Sequence, residues 1–151
     1  MKILMGVSTV DPKDSATGFI LDLVKSLSKK VDHIYLIALQ GENNNLPENI
    51  TLFKIPKSNK IKKLFIFNKY VLQIISRYKP DLAFTHIREF LSINIGIWCK
   101  LFRKPHAFWY CQGQDLSYPG CEVNLRNRIA LMIPNIILTG SEIIKNGYIK
   151  N

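Results

Sequence analysis

The chain has 151 residues, enough for one domain with a full core and short for two. Apolar residues make up 47% and charged residues 21%, which excludes a disordered or fibrous chain. Twenty-one Lys and Arg against eleven Asp and Glu leave a formal charge of +10. So basic a chain is expected to meet something anionic: nucleic acid, membrane head groups or phosphorylated small molecules.

Short apolar runs alternate with longer segments of helical period. Lys2 to Ser8 reads as a first buried strand. Thr17 to Lys30 places Phe19, Ile20, Leu23, Val24 and Leu27 on one helix face. Asp32 to Leu39 is a second strand, closed by Gly41 and a polar run. Ile50 to Ile55 is a third, stopped by Pro56. Lys60 to Tyr78 reads as a long helix ended ahead of Pro80, with Ile61, Leu64, Phe67, Val71, Ile74 and Tyr78 facing the sheet. Asp81 to His86 is a fourth strand, Phe90 to Phe102 a helix, and His106 to Cys111 a fifth strand. A Gly-rich irregular stretch follows from Gln112 to Gly120. Leu125 to Met132 is a helix, Asn135 to Thr139 a sixth strand, and a last helix opens at Ser141-Glu142. The expected fold is α/β: a Rossmann-like, doubly wound, mainly parallel six-stranded sheet with helices on both faces, in the order 3-2-1-4-5-6. One domain is expected over 1–151, interrupted in its last helix.

No apolar run has the length of a membrane-spanning helix, and the N-terminal run is too short for a signal-peptide core. Three cysteines, Cys99, Cys111 and Cys121, show no C-x-x-C spacing, so a reducing cytoplasmic setting and ordinary buried thiols are expected. No metal-ligand spacing is present.

In an open parallel sheet, ligands bind beyond the carboxyl ends of the strands, where the strand order reverses. That crevice lies between strands one and four. Its walls offer Asp14, Ser15, Thr17, His86, Arg88, Glu89, Gln112, Gly113, Gln114 and Asp115, converging from separated parts of the sequence. Each has a plainer role open to it. Ser15 and Thr17 suit helix capping, His86 a structural hydrogen bond, and Gly113 a turn. Ser141 with Glu142 reads as an N-cap and a dipole-favoured acid, and also offers free N–H groups to a phosphate or carboxylate. Neither G-x-G-x-x-G nor G-x-x-x-x-G-K-[ST] occurs, so dinucleotide and P-loop chemistry are not signalled.

The order of these features resembles the N-terminal, acceptor-side domain of glycosyltransferase family 4, the group 1 glycosyltransferases of the GT-B fold. KILMGVS and GFILDLVKSLSKKVDHIYLIAL are similar to its first strand, first helix and second strand. KPDLAFTHIREF resembles its Pro-Asp-aliphatic-His element, KPHAFWYCQGQDLSYPG its fifth strand and following loop, and NIILTGSEIIKNGYIKN its strand, Ser-Glu and helix. The resemblance implies transfer of a sugar from a nucleotide-sugar to a hydroxyl acceptor, with retention, without a required metal and with no cofactor beyond the nucleotide-sugar co-substrate. It places Asp14, Ser15, Gln112 and Gly113 beside the transferred sugar, lines the crevice with His86, and puts the helix capped by Ser141-Glu142 facing it. The chain departs from the family where Asp14-Ser15 replaces a Gly-Gly pair and Gln112-Gly113 replaces His-Gly. The family's paired glutamates, spaced E-x7-E on a second, donor-binding domain, have no counterpart among Glu42, Glu48, Glu89, Glu122 and Glu142. Holding donor and acceptor together in a dry cleft needs both halves, so no turnover is expected from these residues alone. A second chain carrying the donor domain is the expected partner. A non-catalytic module for a phosphorylated or lipid-linked ligand, or an inactive remnant, are the alternatives.

The charge is concentrated. Between Asn49 and Pro80 no acidic residue occurs, while seven lysines and Arg77 contribute +8. Lys60, Lys62, Lys63 and Lys69 on the long helix, with Phe65 and Ile66 left over beside its core face, suit an anionic membrane surface on the cytoplasmic side. A solvated helix face explains the same charges. Nucleic acid is disfavoured because no recognition motif accompanies them.

Overall fold

The computed structural model describes residues 1–11, 18–41, 46–110 and 125–140. Six strands form one parallel sheet: β1 (Lys2–Thr9), β2 (His33–Gln40), β3 (Ile50–Lys54), β4 (Leu82–His86), β5 (His106–Tyr110) and β6 (Ile136–Thr139). Their order is β3-β2-β1-β4-β5-β6, as the sequence predicts. The helices among the described residues are α1 (Phe19–Ser28), α2 (Lys60–Gln73), α3 (Glu89–Leu101) and α4 (Leu125–Met132).

The strands are continuous apolar runs because both sheet faces are covered. Alternate residues of β1 and β2 serve opposite layers. Ile3, Met5, Val7, Ile34, Leu36 and Ala38 pack with Ile20 and Val24 of α1. Leu4, Tyr35 and Ile37 pack on the other face with Phe67 and Val71 of α2 and Leu91, Ile95 and Cys99 of α3. A further small cluster joins Phe108 and Tyr110 of β5 to Ala130 and Leu131 of α4. Burying each large side chain contributes about 1.5–3 kcal/mol before entropy is counted. Gly6 has a packing reason: a Cβ there would lie 2.7 Å from Ile95 Cδ1, so its absence lets α3 approach β1.

Two features of α2 differ from the sequence-based expectation. Asn59 caps its start, its side chain accepting from the Lys62 N–H at 2.8 Å, and Phe67, Val71 and Ile74 are buried as predicted. Ile61 and Leu64, however, face outward. Secondly, the last turn is a π turn over Ile74–Tyr78, closed by the Lys79 N–H on the Ile74 carbonyl. The wider turn buries both Ile74 and Ile75 and stacks Tyr78 on Tyr35 with ring centroids 4.6 Å apart. The helix therefore ends on Lys79 in the left-handed region, φ 51°, a common helix-ending geometry, rather than on an extended residue.

No helix among the described residues is long and apolar enough to cross a membrane. Cys99 is a buried thiol whose pKa is pushed up to about 12 by desolvation, which leaves it inert. Cys111 and Cys121 lie outside the described residues.

Candidate functional site

β1 has β2 on one side and β4 on the other. The chain leaves β1 toward α1 on one face and leaves β4 toward α3 on the opposite face, so a crevice opens between the two strand ends. On the β2 side the chain turns at Gly41, whose φ is +104°. A Cβ there would meet Val10 Cγ2 at 2.7 Å, so the glycine lets β2 end close against the chain leaving β1.

His86 is the last residue of β4, with its ring on the α1 face of the sheet. The register pairs it with Trp109 of β5, and the two rings meet edge-on with centroids 5.0 Å apart. Phe19, in the first turn of α1, approaches both, at 5.6 Å from His86 and 6.4 Å from Trp109. His86 is 1% exposed, and its Nε2 is buried without a hydrogen-bond partner among the described residues. Desolvation lowers its pKa to about 4, so the imidazole is neutral at physiological pH. The result is an uncharged nitrogen set among aromatic edges.

The next residue is strained. Ile87 has φ 62°, and the Arg88 N–H bonds to the His86 carbonyl at 2.7 Å, which makes a γ-turn with a positive central φ. A β-branched residue in that region is a true outlier, held here by the Ile87 N–H on the Trp109 carbonyl at 2.8 Å. The turn swings the chain directly into α3. Arg88, its N-cap, reaches back to β1, with Nε donating to Ser8 Oγ at 3.3 Å. Arg88 is exposed and, among the described residues, is in no ion pair, so a guanidinium stands at the crevice mouth. Glu89 behind it lies 3.6 Å from Arg126 of α4.

Of the residues expected at the site, the structure brings His86 and Arg88 to the crevice. Asp14, Ser15, Thr17, Gln112, Gly113, Gln114, Asp115, Ser141 and Glu142 lie outside the described residues. The sequence reading missed Phe19 and Trp109. Phe19 fits the core stripe of α1, and only the register of β4 against β5 sets Trp109 beside His86. A separate open hollow of about 590 Å³ lies at the other end of α1, between Lys25, Ser28, Pro47 and Asn49. Asn49 there donates to the Ser28 carbonyl at 2.8 Å, bracing α1 against the start of β3.

No protein-family model matches the sequence, and no curated relative does either. Solved structures do. UDP-GlcNAc 2-epimerase from Methanocaldococcus jannaschii, in complex with UDP-GlcNAc and UDP, superposes with a TM-score of 0.68 at 12% identity, over 99% of this chain and 43% of that one. UDP-N-acetylglucosamine 2-epimerase from Rickettsia bellii gives 0.67 at 15% identity, over 99% and 41%. MurG from Acinetobacter baumannii gives 0.59 at 12% identity, over 93% and 40%. The chain thus spans about 40% of the length of these neighbours, and its six-stranded Rossmann-like sheet is the fold of one half of a GT-B-type structure.

Proposed function

We propose that these residues form the acceptor-side half of a glycosyltransferase resembling family 4, moving a sugar from a nucleotide-sugar to a hydroxyl acceptor with a donor-binding half supplied from outside them. The observation that carries this reading is the pairing of a neutral His86 Nε2, without a partner among the described residues, with an exposed Arg88 at the switch point of half a GT-B-type fold. In this reading His86 is the floor of the site and meets a ligand hydroxyl where its exposed neighbour Phe19 gives way, a neutral imidazole being able to accept or donate a hydrogen bond without a charge to desolvate. Phe19 and Trp109 give an apolar wall for the C–H face of a sugar or acceptor. Arg88 offers a forked donor to a phosphate at the mouth. Asp14, Ser15, Gln112, Gly113, Ser141 and Glu142 complete the site by the family resemblance, and Thr17 and Asp115 by their place on the crevice walls in the sequence.

The test is reconstitution. The chain is combined with a separately expressed donor-binding half of a GT-B-type enzyme and assayed for UDP release from UDP-GlcNAc and related UDP-sugars, with and without hydroxyl acceptors. Acceptor-dependent UDP release, lowered at least about tenfold by Arg88→Ala, is the expected result, since a charge-assisted contact is worth roughly 1.5–3 kcal/mol. Acceptor-independent epimerisation of UDP-GlcNAc, or tight binding of NAD with no effect of UDP-sugars, would overturn it.

A further inference from the structure

The outward face of α2 is not the solvated polar face of an ordinary surface helix. Ile61 is 82% exposed, Phe65 71% and Leu72 38%. At about 100° per residue these three fall within roughly 40° of one another, a stripe about 16 Å long. The stripe lies on a different side of the helix from the buried Phe67, Val71 and Ile74. The helix therefore carries two apolar faces, and only one meets the sheet. Exposed Lys62 and Lys69 border the outer stripe, and exposed Lys57 and Lys60 stand at its N-terminal end. No acidic residue lies anywhere from Asn49 to Pro80 to neutralise them. None of these lysines is in an ion pair among the described residues.

The position adds to the composition. α2 follows β3 and α3 follows β4 in a parallel sheet, so both helices start at the strands' carboxyl edge, where the crevice opens. Ile61 and Phe65, in the first two turns of α2, thus stand at the crevice end of the molecule. Asn68, one turn on, receives the Trp98 indole N–H at 2.7 Å and donates to Asn94 at 3.2 Å, which fixes the orientation of α2 against α3. The outward stripe is held in place.

We infer that the outer face of α2 docks this chain on an anionic lipid surface, Ile61, Phe65 and Leu72 entering the head-group boundary while Lys57, Lys60, Lys62 and Lys69 meet the lipid phosphates. Large side chains inserted beside a basic rim are the physical signature of an interfacial helix. A protein or nucleic-acid partner fits less well. Nucleic acid has no use for an aliphatic stripe lying along the helix, and a second copy of this chain would bring the same lysines face to face.

The inference is independent of the proposed catalytic role, because it needs neither nucleotide-sugar nor second domain. It is tested by co-sedimentation of the full chain with phosphatidylcholine vesicles, with and without phosphatidylglycerol, at low and high salt. Binding is expected only with phosphatidylglycerol, and to weaken with salt. Lys62→Ala with Lys69→Ala is expected to lower partitioning roughly thirtyfold, from about fivefold per charge near the surface. Ile61→Ser with Phe65→Ser, keeping every charge, is expected to lower it at least about tenfold. All four positions are on the surface of α2, so both variants are expected to keep the circular dichroism of the parent chain and a thermal midpoint no lower than its own. A separate Phe65→Trp variant is expected to show blue-shifted emission on vesicles. Absence of vesicle binding at low salt overturns the inference. So does binding that the Ile61/Phe65 variant leaves intact, since charge alone would then account for it. Self-association lost in that same variant without vesicle binding would assign the stripe to a second copy instead.

Discussion

His86 and His106 show how burial rather than neighbouring charge sets the electrostatics of this sheet. Both are about 1% exposed and both are held near pKa 4 by desolvation. His106 Nε2 pairs with Thr85 Oγ1 at 2.9 Å, and its Nδ1 is buried without a partner among the described residues. A folded-state pKa below the unfolded value of 6.5 means that the unfolded chain binds more protons between these limits. The stability these neutral rings contribute is therefore full above pH 6.5 and lost as pH falls toward 4, by on the order of a few kcal/mol. Thermal melts across that window are expected to show a steep fall in midpoint, and His106→Gln to flatten it while lowering stability at neutral pH. An unchanged slope in the variant would show that His106 does not carry the effect. His86 was legible in the sequence as a polar residue ending an apolar strand. Its orphaned Nε2 was not, because its burial depends on Phe19 and Trp109 arriving from two other elements.

At the scale of elements the sequence was legible where one period dominates. Each predicted strand boundary falls within one residue of the observed one, because apolar runs are bounded sharply by Gly, Pro and polar clusters. The strand order follows from right-handed crossovers between parallel strands. The facing of α2 was less legible. Ile61, Leu64, Phe65, Ile66 and Phe67 supply apolar residues on several sides, and the π turn at Ile74–Tyr78 changes the period just where the pattern would decide between them. The packing of α3 was not legible at all at Gly96. A glycine within a helix ordinarily costs about 1 kcal/mol relative to alanine. Here a Cβ would lie 2.2 Å from Ile133 Cγ2 and 2.9 Å from His106 Nδ1, so the missing methyl lets α3 close over β5 and the residue that follows α4. Overpacking of this kind costs about 1–3 kcal/mol and is met by strain on both sides, one of them a buried imidazole. Gly96→Ala is therefore expected to destabilise the protein by about 2 kcal/mol despite its better helix propensity. Urea unfolding checks this: a midpoint at or above that of the parent chain would show that Ile133 gives way freely.

For the whole molecule, the +10 charge is a property of one region. Eight positive charges lie between residues 54 and 79 with no acidic residue among them. The ion pairs among the described residues, the N-terminus of Met1 with Asp32 and Arg126 with Glu89, lie elsewhere. Folding thus draws like charges together on and around α2, and the cost is self-repulsion in the compact state. Screening acts over about 10 Å at moderate salt, comparable to the spacing of lysines along a helix. Added salt should consequently relieve more repulsion than it removes attraction. The thermal midpoint is expected to rise by a few degrees from low to moderate sodium chloride, corresponding to roughly 1 kcal/mol. Lys62→Gln with Lys69→Gln should raise the midpoint at low salt and shrink the salt increment. A midpoint that falls with salt would mean that attractive pairs dominate and that the basic stretch is neutralised within the folded chain. A positive increment would instead show a face kept charged against its own stability, which is the condition for an anionic surface to stabilise it on contact.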